Sequence, residues 1–132
     1  MKIQTKRVYE PIDREDGIDR EDGVRVLVDR IWPRGVSKGK LKADLWLKEA
    51  APSASLRKWF GHDPARWKGF KMRYFEELAD RAELMQQLLS LAAENPLTLL
   101  FSARDVRCNQ AVALKEYLIS RSGSASAGPT ET

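Results

Sequence analysis

Residues 24–35 read VRVLVDRIWPRG. In an extended chain Val24, Val26 and Val28 share one face, and Leu27 lies on the other. Apolar residues on both faces mark a strand covered from both sides, as in a parallel sheet with helices packed on it. Residues 24–31 are therefore predicted as a strand, and Trp32-Pro33-Arg34-Gly35 ends it.

Two further strands follow from the same logic. Residues 2–9 (KIQTKRVY) alternate and are rich in β-branched residues. Residues 97–101 (LTLLF) form a short apolar run bounded by Pro96 and a polar loop. The chain between positions 31 and 97 reads as helical. Residues 41–47 suggest a short helix. Ser53 is a candidate N-cap for a helix over 53–60, which Gly61 ends. Asp63-Pro64 starts another, because Asp accepts first-turn amides and Pro is pre-set for the first helical position. Trp67, Phe70, Tyr74, Phe75 and Leu78 follow at helical spacing and are expected in the core. A helix over 81–94 presents Leu84, Met85, Leu88, Leu91 and Ala92 inward, and Asn95-Pro96 stops it. The last helix, about 108–121, carries Ala111, Leu114 and Leu118 on one face.

This order predicts an α/β domain: a small, mostly parallel sheet with a long helical insertion between the second and last strands. The domain is expected over residues 1–121, with a disordered Ser/Gly/Ala-rich tail over 122–132. The tandem DREDGI and DREDGV, residues 13–18 and 19–24, reads as a solvated loop.

Composition narrows the class. With 132 residues, 42% of them hydrophobic, the chain is long enough for one real core. A single cysteine, Cys108, and a charged N-terminus without an apolar signal segment predict a cytoplasmic protein without a disulfide or membrane span. Charge is unevenly spread. Residues 30–73 hold twelve Lys/Arg against three Asp/Glu, a net of +9, and contain all four tryptophans. Such a block attracts anions, or forms a solvated surface.

In open α/β sheets ligands bind beyond the carboxyl ends of the strands. Asp29, Arg30, Trp32 and Arg34 follow one strand here; Ser102, Arg104, Asp105 and Arg107 follow another and lead into a helix N-terminus. Amides and the helix dipole there favour an anion, and guanidinium forks suit phosphate or carboxylate. The candidate anion-binding residues are Arg30, Arg34, Ser102, Arg104 and Asn109. Asp29 and Asp105 are the candidate catalytic carboxylates, orienting the arginines or acting as base. The expected ligand is a small phosphorylated or carboxylated molecule, with no cofactor and no metal: one His and one Cys far apart do not meet ligand spacing. In a purely structural reading, Asp29 pairs with an arginine such as Arg104 and ties the strand ends together. Cys108 lacks the phosphatase spacing to an arginine and reads as incidental. His62 reads as a residue preceding a helix, with general acid–base work as the alternative. A different class, a nucleic-acid-associated or regulatory module, would use the arginines, lysines and tryptophans of residues 30–73. Neither a P-loop, a GxGxxG nor a nucleophile elbow is present, so whether the protein is an enzyme stays open.

KRVYEP, DGVRVLVDRIWPRGVSK, WLKEAAPSASLRKWFGHDPARWKGFKMRYFEEL and PLTLLFSARD, with CNQAVALKEYL following, together resemble the YeaO-like family of bacterial proteins, domain of unknown function 488. The resemblance spans about residues 2–118 and is most specific in RVLVDRIWPRG. It implies a compact cytoplasmic α/β protein and brings no reaction, substrate or cofactor. The matching positions are Asp29, Arg30, Trp32, Pro33, Arg34 and Gly35; Pro52, Ser53, Leu56 and Arg57; and Ser102, Ala103 and Asn109. The DREDG duplication and Cys108 depart from it.

Overall fold

The computed structural model of the chain describes residues 1–9 and 22–131, with side chains through residue 122. Four strands form one sheet: β1 (Ile3–Arg7), β2 (Val24–Leu27), β3 (Leu45–Trp46) and β4 (Leu97–Phe101), in the spatial order β1-β4-β2-β3. Every pairing is parallel. The helices are α1 (Lys38–Leu41), α2 (Ala54–Phe60), α3 (Trp67–Ala79), α4 (Ala82–Glu94) and α5 (Gln110–Glu131). The α/β class and the helical insertion between the second and last strands are as the sequence predicts. Most of the duplicated DREDG stretch lies outside the described residues, as do the side chains of the expected tail; the backbone of α5 runs to Glu131.

One expectation is corrected. Residues 41–47 do not form a helix. Ser37 caps α1, and Lys42 leaves it in the left-handed region at φ 50°. The amides of Asp44 and Leu47 then donate to the carbonyls of Arg25 and Leu27, making Leu45–Trp46 an edge strand. The partner strand's free edge decides this, and local propensity does not report it.

The sheet alternation builds two unequal layers. Val26, Val28, Leu97, Leu99 and Phe101 face the main core, which Phe70, Tyr74, Leu78, Leu88, Leu114 and Leu118 complete from the helices. Leu27 and Leu100 face the other side and are covered by Leu41, Trp32 and Val36. The same side is polar toward the strands' amino ends. There Asp22, fully buried, accepts from Lys6, Gln4 and Arg25, and Thr98 donates to the Asp22 carbonyl at 2.8 Å. Buried polar groups are tolerable only when paired in this way.

The insertion is pinned at its start. Ser53 caps α2 by accepting from the Leu56 amide, while its own amide donates to Glu77 at 2.8 Å. Arg81 pairs with Glu77 and donates to the carbonyls of Glu49 and Ala51. Asp63 caps the 3-10 turn Pro64–Arg66 that precedes α3, with Pro64 at its first position.

The entry to β2 has no room for a side chain. Gly23 sits at φ +61°, and a Cβ there would lie 2.0 Å from the Pro96 oxygen, which accepts the Val24 amide. Gly23→Ala is therefore expected to destabilise the fold by about 2–4 kcal/mol, through both backbone strain and displacement of the β2–β4 pairing. Urea unfolding checks this, the midpoint falling with little change in slope.

Candidate functional site

A cavity of about 710 Å³ opens at the carboxyl edge of the sheet, between the exits of β2 and β4 and the α2 helix. Its floor is apolar. Phe60 and Phe70 stack there at 4.3 Å between ring centroids, and Ala51 and Pro52 complete the wall. Its rim carries Arg30 from the β2 exit, Arg57 from α2 and Arg104 from the β4 exit. All three are exposed, and among the described residues their guanidinium groups have no salt-bridge or hydrogen-bond partner. The expected pairing of Asp29 with Arg104 is not formed.

A second cavity of about 550 Å³ adjoins the first and shares Ile31, Ser102 and Arg104 with it. Arg34 lines this one, beside Trp32 and Tyr9. Of the sequence candidates, the structure thus brings Asp29, Arg30, Ser102, Arg104, Asp105 and Asn109 to one cavity and places Arg34 in the next.

Asp29 is the buried member, 6% exposed. Backbone pairing carries the chain out of β2, the Val28 amide donating to Leu100 O at 3.1 Å. The Trp46 indole donates to the Asp29 carbonyl at 2.8 Å, and the Gln110 side chain donates to Oδ1 at 2.6 Å. Oδ2 is buried with no partner of hydrogen-bond geometry. Burial pushes the carboxyl above the usual carboxylate range; Ser102, close by through its hydroxyl and amide, and Gln110 pull in the opposite direction.

Asp105 behaves in the opposite way. Its Oδ1 accepts the amides of Arg107 and Cys108 at 2.9 and 3.0 Å, and these bonds hold it below the usual range. Asn109, buried, caps α5 by accepting the Val112 amide and donates to the Asp105 carbonyl. Of the amides expected to be free for an anion around Cys108 and Asn109, that of Cys108 is already occupied, as is that of Arg107. Burial and the neighbouring Asp105 push the Cys108 thiol up, away from a reactive thiolate.

Sequence reasoning gave no site role to Arg57, Gln110 or the Phe60–Phe70 floor. Arg57 stood only in the family motif, and its neighbourhood to the strand ends depends on the path of the insertion. His62 also reaches the rim, held at φ 57° in the turn after Gly61. A non-glycine residue in that region is uncommon, and such strain gathers at functional sites. No group of three or more His, Cys, Asp or Glu side chains among the described residues could hold a metal ion. Nor is any described helix long and apolar enough to cross a membrane.

The tryptophans of residues 30–73 are engaged within the protein. Trp32 donates to Val36 O and meets Trp46 edge-on; Trp59 lies beneath Arg66 and Arg73; Trp67 stacks on Phe70.

The Asp29 carboxyl binds its proton more tightly in the folded chain than at the ordinary value of 3.8. Stability is therefore lost as pH rises from that value through the folded one. Asp29→Asn keeps the acceptor for Gln110 and removes the ionisation. It is expected to raise Tm by a few degrees at pH 7, the gain shrinking as pH falls toward 3.8. Melting curves of both proteins across pH check this; a gain that persists unchanged at low pH contradicts it.

Comparison with known proteins places the chain in a family. A family model described as the inactive DUF488-N3 subclade matches residues 2–131. The uncharacterized protein YeaO of Escherichia coli (strain K12) is 42% identical over 118 residues, covering 89% of this chain and 97% of that protein. Two mycobacterial proteins, Rv3073c of Mycobacterium tuberculosis and Mb3100c of Mycobacterium bovis, are each 40% identical over 120 residues, covering 91% of this chain and 96% of their own length. No solved structure matches. The chain belongs to the DUF488 family.

Proposed function

We propose that this protein is a small-molecule binding domain for a phosphorylated or carboxylated ligand, held in the larger cavity with its charged group on Arg30, Arg57 and Arg104. One observation carries the reading. Three guanidinium groups from three separate elements line one cavity, and none has an anionic partner among the described residues. Like charges gathered without a counter-charge repel, and an anion placed among them removes that cost. Planar donor forks match phosphate and carboxylate oxygens. The volume and the aromatic floor suit a compact ligand with a short carbon skeleton.

Binding without turnover fits the carboxylates. Asp105 is engaged in capping, and the Asp29 carboxyl is bonded by Gln110. The subclade's description as inactive supports the same reading. A cytoplasmic location accords with the single free thiol. Nucleic-acid binding through residues 30–73 draws less support, since three of the four tryptophans are packed and only Trp46 is more than a third exposed.

A thermal-shift titration with n-propyl phosphate and succinate tests the reading, because a ligand that binds only the folded state raises its Tm. At least one compound is expected to stabilise the protein, less so as salt rises. Arg57→Ala and Arg104→Ala should each weaken that ligand about tenfold while leaving the unliganded Tm within about a degree, since both are exposed. Absence of any shift at tens of millimolar ligand in low salt sinks the proposal.

A further inference from the structure

Asp29 holds a buried carboxylate oxygen that no described residue meets in hydrogen-bond geometry, although the Ser102 hydroxyl and amide lie close to the carboxyl. Oδ1 receives the Gln110 amide, while Oδ2 is buried and makes no hydrogen bond of good geometry among the described residues. Among the described residues the only other buried side-chain atom in this position is Arg25 Nε. That guanidinium is already held elsewhere, by Asp22 and by the Leu41 carbonyl. The Asp29 oxygen has only the nearby Ser102, without hydrogen-bond geometry, and it belongs to a residue of the cavity wall beside Arg30 and Ser102. Leaving a buried acceptor unmade is costly, more so when it is charged. A fold that keeps such a cost in the wall of a cavity has a use for it there.

We infer that Asp29 Oδ2 accepts a hydrogen bond from a hydroxyl of the bound ligand. The cavity then takes a hydroxylated anion, a short polyol phosphate or hydroxy acid, with its charged end on the arginines and a neighbouring hydroxyl on Asp29. This assignment rests on the anion-binding reading above and narrows it. The donor is a hydroxyl and not an ammonium group because Arg30, Arg57 and Arg104 outnumber Asp29 and Asp105 in the cavity lining, so a further cation would enter a net positive site. A neutral hydroxyl satisfies the oxygen without that penalty. An anion lacking any donor would close the cavity over a bare oxygen, and sites built around a ligand hydroxyl discriminate strongly against analogues without it. The carbon atoms between the two polar ends would lie on the Phe60–Phe70 floor.

The experiment is calorimetric titration of the full chain with three probes of similar length: sn-glycerol 3-phosphate, n-propyl phosphate and 3-aminopropyl phosphate. Glycerol phosphate is expected to bind about tenfold tighter than propyl phosphate, and tighter than aminopropyl phosphate. In Asp29→Leu, which removes the acceptor at similar volume, the preference for glycerol phosphate should fall to within about twofold. Equal affinity of the wild-type protein for glycerol and propyl phosphates overturns the inference and leaves the anion-binding reading standing. Tighter binding of the amino compound overturns it in favour of an ammonium donor. If none of the three binds, both fall. Should Asp29→Leu fail to fold, the wild-type ratio alone decides.

Discussion

The structure depends on a strand of five residues that is paired on both edges. Leu97–Phe101 takes β1 on one side and β2 on the other, all in parallel, and each of its residues is buried. Parallel neighbours cannot be joined by a tight turn, so each must be reached through a crossover. The chain meets this demand by inserting α1 to α4 between β2 and β4 and laying α5 back over β1 and β4. Four of the five residues are apolar, each worth about 1.5–3 kcal/mol of burial, and the one hydroxyl, Thr98, is bonded to Asp22 and Gln4. The same pairing lines up the exits of β2 and β4, which is why Asp29 and Ser102 become neighbours though far apart in sequence.

From that alignment comes a division of labour between two acids. Asp22 and Asp29 both belong to the ends of β2 and are both buried. At the amino end, Asp22 is surrounded by Lys6, Arg25 and Gln4, so its charge is compensated and it clasps three strands. At the carboxyl end, Asp29 has one amide and the nearby Ser102 for company, and burial raises its proton affinity. A buried charge with full pairing is a structural device; one with a bare oxygen beside a cavity is a demand for something from outside. The arginines state the complementary demand, being cations left without anions among the described residues.

How far this was legible in the sequence follows from the range of each signal. The period of two in VRVLV and the run LTLLF report burial on both faces directly, so the sheet class could be read. Ser53, Asp63 and Pro64 act within a few residues of themselves, and the caps fall where expected. The short β3 could not be read, because Leu45–Trp46 is a strand only by virtue of the edge that β2 offers it. At the site, the loop motifs placed Asp29, Arg30, Ser102 and Arg104 together because the carboxyl ends of parallel strands share an edge. Arg57 and Gln110 escaped because their arrival depends on how α2 folds back and on the helical phase of α5. The helix N-terminus misled for a local reason: Asp105 and Asn109 are themselves good amide acceptors, and they cap what an anion would have needed.

The basic block of residues 30–73 then has a physical explanation more specific than solubility. Within it Arg66 and Arg73 lie over Trp59, Lys48 over Trp46 and Lys71 over Trp67, so a third of the twelve cations is laid against aromatic faces. Arg30 and Arg57 are in no such arrangement, and they are the two members of the block that line the larger cavity. The charge that draws the eye in the sequence is therefore of two kinds. Four of the twelve cations cover tryptophans and help keep the insertion packed. Arg30 and Arg57, joined by Arg104 from across the sheet edge, are the part placed to meet a ligand.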